Sequence, residues 1–283
     1  MSNQVLELFG RSTSYESKQP WRTIVRRQLC PFTGRKCIKV RKSRPEISIG
    51  TCSVSYRHDP KSVIICPFRL LERRQIFVDA LHLLSLRKPG DELHVVPEVT
   101  IPGGSVDYFL VSVRHGKPVD FVGIELQALD TTGTVWPARQ SFLQSVGVTA
   151  VERRRARHLT FGMNWKMTAK TALIQLHHKT DTFEHVSKHL LLVIQDCFLD
   201  YIRQTFSLAH LNEGRSEDSM QFHVYSLDQM GRVYRLRLVK RLSTDSAGIS
   251  TALGLQESPS VDLEVILTDL EKKISDRTLW TPA

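Results

Sequence analysis

The sequence predicts an α/β protein with a mixed central sheet flanked by helices. Three observations carry that prediction. Apolar and polar residues alternate through "SVDYFLVSVRHGKPVDFVGIELQ" (105–127) and "MQFHVYSLDQMGRVYRLRLVKRL" (220–242), each broken by a turn, as in antiparallel hairpins. Longer stretches around them space apolar residues by three and four, the period of helices buried on one side. Strands interleaved with helices build a layered sheet.

Taken in order, residues 20–66 read as irregular, with Cys30, Cys37, Cys52 and Cys66 each beside Pro, Gly or a small polar residue. Pro67 opens a helix, "PFRLLERRQIFVDALHLLSLRK", with Leu70, Leu71, Phe77, Val78, Leu81 and Leu84 in one stripe and Pro89-Gly90 at its end. "ELHVVPEVTI" is a short extended segment. In the first hairpin, Val106, Tyr108 and Leu110 on one parity and Phe109, Val111 and Val113 on the other describe a strand buried on both faces. Folded symmetrically about Gly116, the hairpin sets Asp107 opposite Glu125, with Gln127 two residues further along the same face.

"DTTGTVWPARQSFLQS" is a loop running into a helix. "NWKMTAKTALIQLHHK" and "DTFEHVSKHLLLVIQDCFLDYIRQTFS" read as two helices, the second capped by Asp181 and holding Cys197 as a small core hydrophobe. The second hairpin turns at Gly231. "STDSAGISTALGLQESPS" is a surface loop, and "SVDLEVILTDLEKKI" is an amphipathic helix starting near Ser260 or Asp262.

Apolar residues make up 41% of the chain and charged residues 24%, as in ordinary soluble proteins. No stretch approaches the roughly 20 apolar residues of a membrane span. The first residues lack a secretory layout, so the expectation is a cytoplasmic protein with no membrane partner. Charge is unevenly placed. Residues 1–74 carry 16 Lys/Arg against 5 Asp/Glu, whereas the other 209 carry 23 against 24. The net charge of +10 is therefore N-terminal, as on a surface that meets a polyanion.

Four of the five cysteines fall in that basic region, and in a cytosolic chain such a group is more often a metal site than disulfides. Their spacing, C-x6-C, C-x14-C and C-x13-C, contains no CxxC. Four thiolates suit zinc or iron, and the missing CxxC speaks against thiol redox chemistry. The sequence thus divides into a basic region with the cysteines (1–75) and a core (76–283), joined in one compact unit.

Facing carboxylates repel unless something positive lies between them, and a divalent cation with hard oxygen ligands meets that need. The pattern D-x17-E-x-Q on adjacent strands resembles the PD-(D/E)XK nuclease core, with glutamine where lysine usually stands. "CPFTGRKCIKVRKSRPEISIGTCSV", "ICPFRLLERRQIFVDALHLL", "HVVPEVTIPGGSVDYFLVSV" and "DFVGIELQALDTTGTVWPARQ" together resemble the NotI-type restriction endonucleases over residues 30–145.

That resemblance implies a PD-(D/E)XK nuclease-like core with an N-terminal four-cysteine elaboration. It implies a homodimeric type II enzyme on double-stranded DNA, with iron, or alternatively zinc, held by Cys30, Cys37, Cys52 and Cys66. It also implies magnesium-dependent double-strand cuts at a palindrome of G and C only, containing CGGCCG or its central GGCC. Asp107 and Glu125 become magnesium ligands, with the Leu126 carbonyl a third, and Glu98 an additional acid. Gln127 takes the lysine position. Being neutral, it cannot serve as a general base, but it can orient water or hydrogen-bond the phosphate.

Arginine reads guanine and carboxylates read cytosine. The segment with Glu72, Arg73, Arg74, Gln75 and Asp79, directly after the last cysteine of the group, offers both types. Arg139 and Gln140 are a second candidate pair. A non-catalytic, metal-stabilised DNA-binding module is the alternative function, and it leaves Asp107, Glu125 and Gln127 without a task.

Overall fold

The computed structural model describes residues 4–14, 19–56, 59–148, 161–206 and 210–253, with Thr268 and Lys272. The helix expected from Ser260 or Asp262 lies outside the described residues. In chain order come β1 (Gln4–Leu8), β2 (Arg11–Ser12), α1 (Trp21–Arg27), β3 (Val40–Arg41), β4 (Arg44–Ser48), β5 (Thr51–Tyr56) and β6 (Asp59–Ile64). A 3-10 stretch (Pro67–Arg74), helix α2 (Gln75–Asp79) and a 3-10 turn (Leu81–Leu83) follow. Then come β7 (Glu92–Ile101), β8 (Gly104–Arg114), β9 (Lys117–Leu126), β10 (Thr131–Thr132), α3 (Trp136–Ser145), β11 (Gly162–Met163) and α4 (Trp165–His185). Next are β12 (His189–Gln195), α5 (Asp196–Thr205), β13 (Asn212–Glu213), β14 (Met220–Met230), β15 (Val233–Thr244) and α6 (Ser246–Ala252).

Seven strands form one mixed sheet in the order β13-β15-β14-β12-β9-β8-β7. β12 is its middle strand, parallel to β9 on one side and to β14 on the other. This corrects the sequence reading, which puts "HLLLVIQ" inside a helix. Asp181 caps nothing, because α4 runs through it unbroken. The strand is apolar at successive positions because both its faces are covered. Leu190, Leu192 and Ile194 join Leu173 of α4 and Phe198 of α5 in one cluster. Leu191 and Val193 join Leu70, Ile76 and Phe77 in the other. At Gly123 of β9, an added Cβ would come within 2.3 Å of the Phe183 ring, so α4 packs here only against a residue without a side chain.

β8 and β9 pair in the symmetric register, Tyr108 with Ile124 through Ser112 with Asp120, until a bulge shifts the pairs beside the turn. β14 and β15 form the hairpin about Gly231. Residues 20–66 are more regular than their sequence suggests: β5 and β6 join β1 and β2 in a four-stranded sheet. Val54, Val63 and Ile65 of that region lie in the same cluster as Leu192. α6 replaces part of an expected loop, and the Asp245 carboxylate accepts from the Gly248 amide at 2.8 Å to cap it.

The single helix expected from Pro67 is interrupted. Glu72 is extended, and Arg73 and Arg74 are left-handed, with φ of 52° and 56°. The physical reason is Glu72, which turns inward to accept from Arg69 at 3.1 Å, from the Leu236 amide at 2.8 Å and from Arg235. Arg69 also donates to Glu7 on β1 at 2.8 Å and to the Tyr234 carbonyl at 2.9 Å. Val78, placed in the apolar stripe by sequence, is exposed instead.

His223 on β14 is buried, and neither ring nitrogen meets a hydrogen-bond partner among the described residues. Its ring stacks on His82 at 5.5 Å. Burial, then Arg241 and His82, push its pKa down to about 3. Unfolded histidine titrates near 6.5, so between about pH 6.5 and 3 the unfolded chain holds the extra proton and stability falls as pH falls. His223→Leu removes that difference. It should flatten the loss by up to about 1.4 kcal/mol per pH unit in that window, measured by urea denaturation at stepped pH. Equal slopes in both proteins would assign the acid sensitivity to other groups.

Candidate active site

Three acids lie in a row across three adjacent strands. β7 pairs Pro97 with Tyr108 and Val99 with Val106, which sets Glu98 across from Asp107. β8 pairs Tyr108 with Ile124, so the next positions outward are Asp107 and Glu125. The sequence places this last pair correctly. Glu98 is exposed and takes a left-handed backbone, φ 52°, a conformation that costs free energy in a non-glycine residue.

Asp107 and Glu125 are half-buried. Burial raises the Asp107 pKa and Glu98 adds to it, while the Leu126 amide, donating at 2.8 Å, and Lys179 oppose the rise. Burial also pushes Glu125 up to about 7; a hydrogen bond from Lys179 opposes this and the Asp107 charge adds to it. Gln127 follows the end of β9, and its amide donates to the Ala128 carbonyl at 2.6 Å. Lys179, which the sequence reading passes over, donates to Glu125 Oε1 at 2.6 Å. A lysine inside the buried stripe of α4, between Leu176 and Phe183, is the sequence signal that could have found it.

A groove leads from the cysteine loop to Glu98, the outer member of this row. Arg35, Lys36 and Arg74 line it, with Glu98 and Tyr108 at its acidic end. Arg73, Arg74 and Gln75 are exposed on the interrupted segment. Asp79 and Arg139, also expected to read bases, are engaged within the fold. Asp79 accepts from the Tyr225 hydroxyl at 2.6 Å and from Gln75 at 2.9 Å. Arg139 is 2% exposed and donates at 2.7 Å to both the Ile49 carbonyl and Gln140. Burial lowers its pKa to about 10. Arg139 therefore supports the fold from within, which corrects its placement as a surface reader.

Cys30 and Cys37 flank a tight loop in which the Cys30 amide donates to the Arg35 carbonyl at 2.8 Å. Cys52 lies on β5, and Cys66 follows β6. The four thiols feel one another: Cys30 and Cys66 each act on Cys52, and Cys30 acts on Cys37 and Cys66. Burial raises the pKa of Cys37, Cys52 and Cys66, the last to about 11. Backbone hydrogen bonds from Lys39, Gly50, Gly10 and Phe68 to these sulfurs act the other way, favouring thiolates. Among the described residues, no three His, Cys, Asp or Glu side chains stand at the spacing of a metal-ligand set. Nor is any described helix long and apolar enough to cross a membrane.

A mixed sheet with helices on it and a row of acids beside a basic groove is compatible with an α/β nuclease. The family model for restriction endonuclease NotI matches residues 9–236, and the chain belongs to that family. It is thus a restriction endonuclease, a type II site-specific nuclease acting on DNA. No curated protein matches the chain.

Proposed function

We propose that Asp107 and Glu125 form the catalytic pair of a PD-(D/E)XK-type centre that cuts both strands of a GC-only palindrome with magnesium. The observation that carries this reading is the row Glu98, Asp107 and Glu125 across three neighbouring strands. Two half-buried carboxylates, the Asp107 charge raising the proton affinity of Glu125 and that of Glu98 raising Asp107's, are hard oxygen donors in need of a cation, and the set fits magnesium, which keeps its own waters. The Leu126 carbonyl would be the third protein ligand, with Glu98 at the rim. Bound magnesium would polarise the scissile phosphate and acidify the attacking water.

The chain's residues supply position. The Leu126 amide fixes Asp107, and Lys179 fixes Glu125. Gln127 takes no proton and hydrogen-bonds water or phosphate. Arg35, Lys36 and Arg74 neutralise backbone phosphates along the groove, while Arg73, Arg74 and Gln75 reach base edges. The cysteines fit a soft metal, iron or zinc, by their ligand chemistry and the backbone hydrogen bonds at their sulfurs. Elemental analysis of the purified protein tells the two metals apart.

A homodimer matches a palindrome because each subunit presents one Asp107–Glu125 site to one strand. The test is digestion of a genome of known sequence with the purified chain and magnesium, followed by end mapping. All ends should fall at one GC-only palindrome containing GGCC. Each wrong base pair should cost about 1–3 kcal/mol, hence roughly tenfold or more in cleavage. Ends at A·T-containing sites would remove the specificity assignment, and no cutting in magnesium would remove the catalytic one.

A further inference from the structure

A lysine is costly to bury without a partner. Lys179 is nearly buried on the face of α4 shared by Ala172, Leu176 and Phe183. Its Nζ donates at 2.6 Å to Glu125 Oε1 and at 2.6 Å to the Ser105 carbonyl. The approach of the helix is built into the turn between β7 and β8. A Cβ on Gly103, where φ is 94°, would lie 2.7 Å from the His178 carbonyl oxygen. Thr182 Oγ1 donates to the Pro102 carbonyl at 2.9 Å one turn further on. Glu125, Gln127 and Lys179 line one small cavity.

We propose that Lys179 is the cationic positioning residue of the acidic row, delivered from a helix because Gln127, just past the end of β9, carries no charge. The proposal rests on the reading of Asp107 and Glu125 as the metal-binding pair. In the metal-free chain the ammonium balances two facing carboxylates and fixes the rotamer of Glu125. A divalent cation entering the pair competes with it for Glu125 Oε1.

Lys179→Met keeps the length of the side chain and removes its charge. Two measurements on the full chain test the idea: thermal unfolding titrated with calcium in the absence of DNA, and single-turnover cleavage in saturating magnesium. With its competitor gone, the variant should reach half-saturation at about tenfold lower calcium. With Glu125 no longer oriented, it should cut at least about tenfold more slowly. Lys179→Arg keeps the charge and should bring the calcium midpoint back to within about threefold of native.

If Lys179→Met fails to fold, adding Glu125→Gln should restore folding by removing the charge left without a partner. A double variant no more stable than the single one overturns the proposal. So does a calcium midpoint within about twofold of native, or cleavage within about threefold. An Asp107→Ala chain that cuts normally overturns the metal-pair reading instead, so the two failures are distinguishable.

Discussion

Asp107→Ala and Glu125→Ala should each slow DNA cleavage by more than about a hundredfold, because losing even an outer partner of a metal ligand commonly costs 10–100-fold. On the proposed reading the bond-breaking step depends on both carboxylates; β8 has no other acid, and Asp120 of β9 is held by Lys188 at 2.6 Å. On the same proposal DNA affinity depends on other groups, the phosphate contacts assigned to Arg35, Lys36 and Arg74 along the groove. In the absence of metal the acidic row repels phosphate, so either variant should bind DNA as tightly as the native chain or more tightly. Single-turnover cleavage and filter binding at fixed salt give the two numbers. Variants that still cut at about a tenth of the native rate would take the pair out of the chemistry.

Arg69→Met should cost about 3–5 kcal/mol of folding stability, the range for removing one partner of a buried ion pair. Arg69 is buried between two carboxylates, Glu7 at 2.8 Å and Glu72 at 3.1 Å. It also stacks over Phe32, 5.0 Å from the ring centre, and so ties the cysteine loop to β1 and β15. Methionine fills similar space but leaves Glu7 with the Ser53 hydroxyl and no cation. Adding Glu7→Gln should recover part of the loss, because the stranded charge and not the missing volume dominates. Urea denaturation of the single and double variants measures this. A single variant within about 1 kcal/mol of native would show that the network contributes little.

The hairpin that carries the acids was legible because alternation with a single glycine turn fixes both the strands and their register. β12 was not, because the apolar run "LLLVI" leads within two residues into the apolar helix "CFLDYI", and no period separates the two. The interruption at Glu72 was hidden for a different reason. No Gly or Pro marks it, and the force that breaks the helix is a contact with Arg235, 163 residues away. Lys179 and Arg139 show the same limit at single residues. A charged side chain on a helix reads as solvated until a neighbouring element is known to cover it. The four cysteines stand out in the sequence because thiols concentrate in a basic stretch, but that concentration says nothing of how the fold would set their spacing.

The position of β12 also sets an order of events during synthesis. β7, β8 and β9 follow one another with tight turns, so the acidic row can assemble from local contacts as soon as β9 has emerged. The inner edge of β9 then stays open until β12 arrives, with α4 and its lysine coming just before. The keystone of the sheet is thus laid after its flank. A nascent chain can hold its acids in register while lacking the strand and helix that make them rigid.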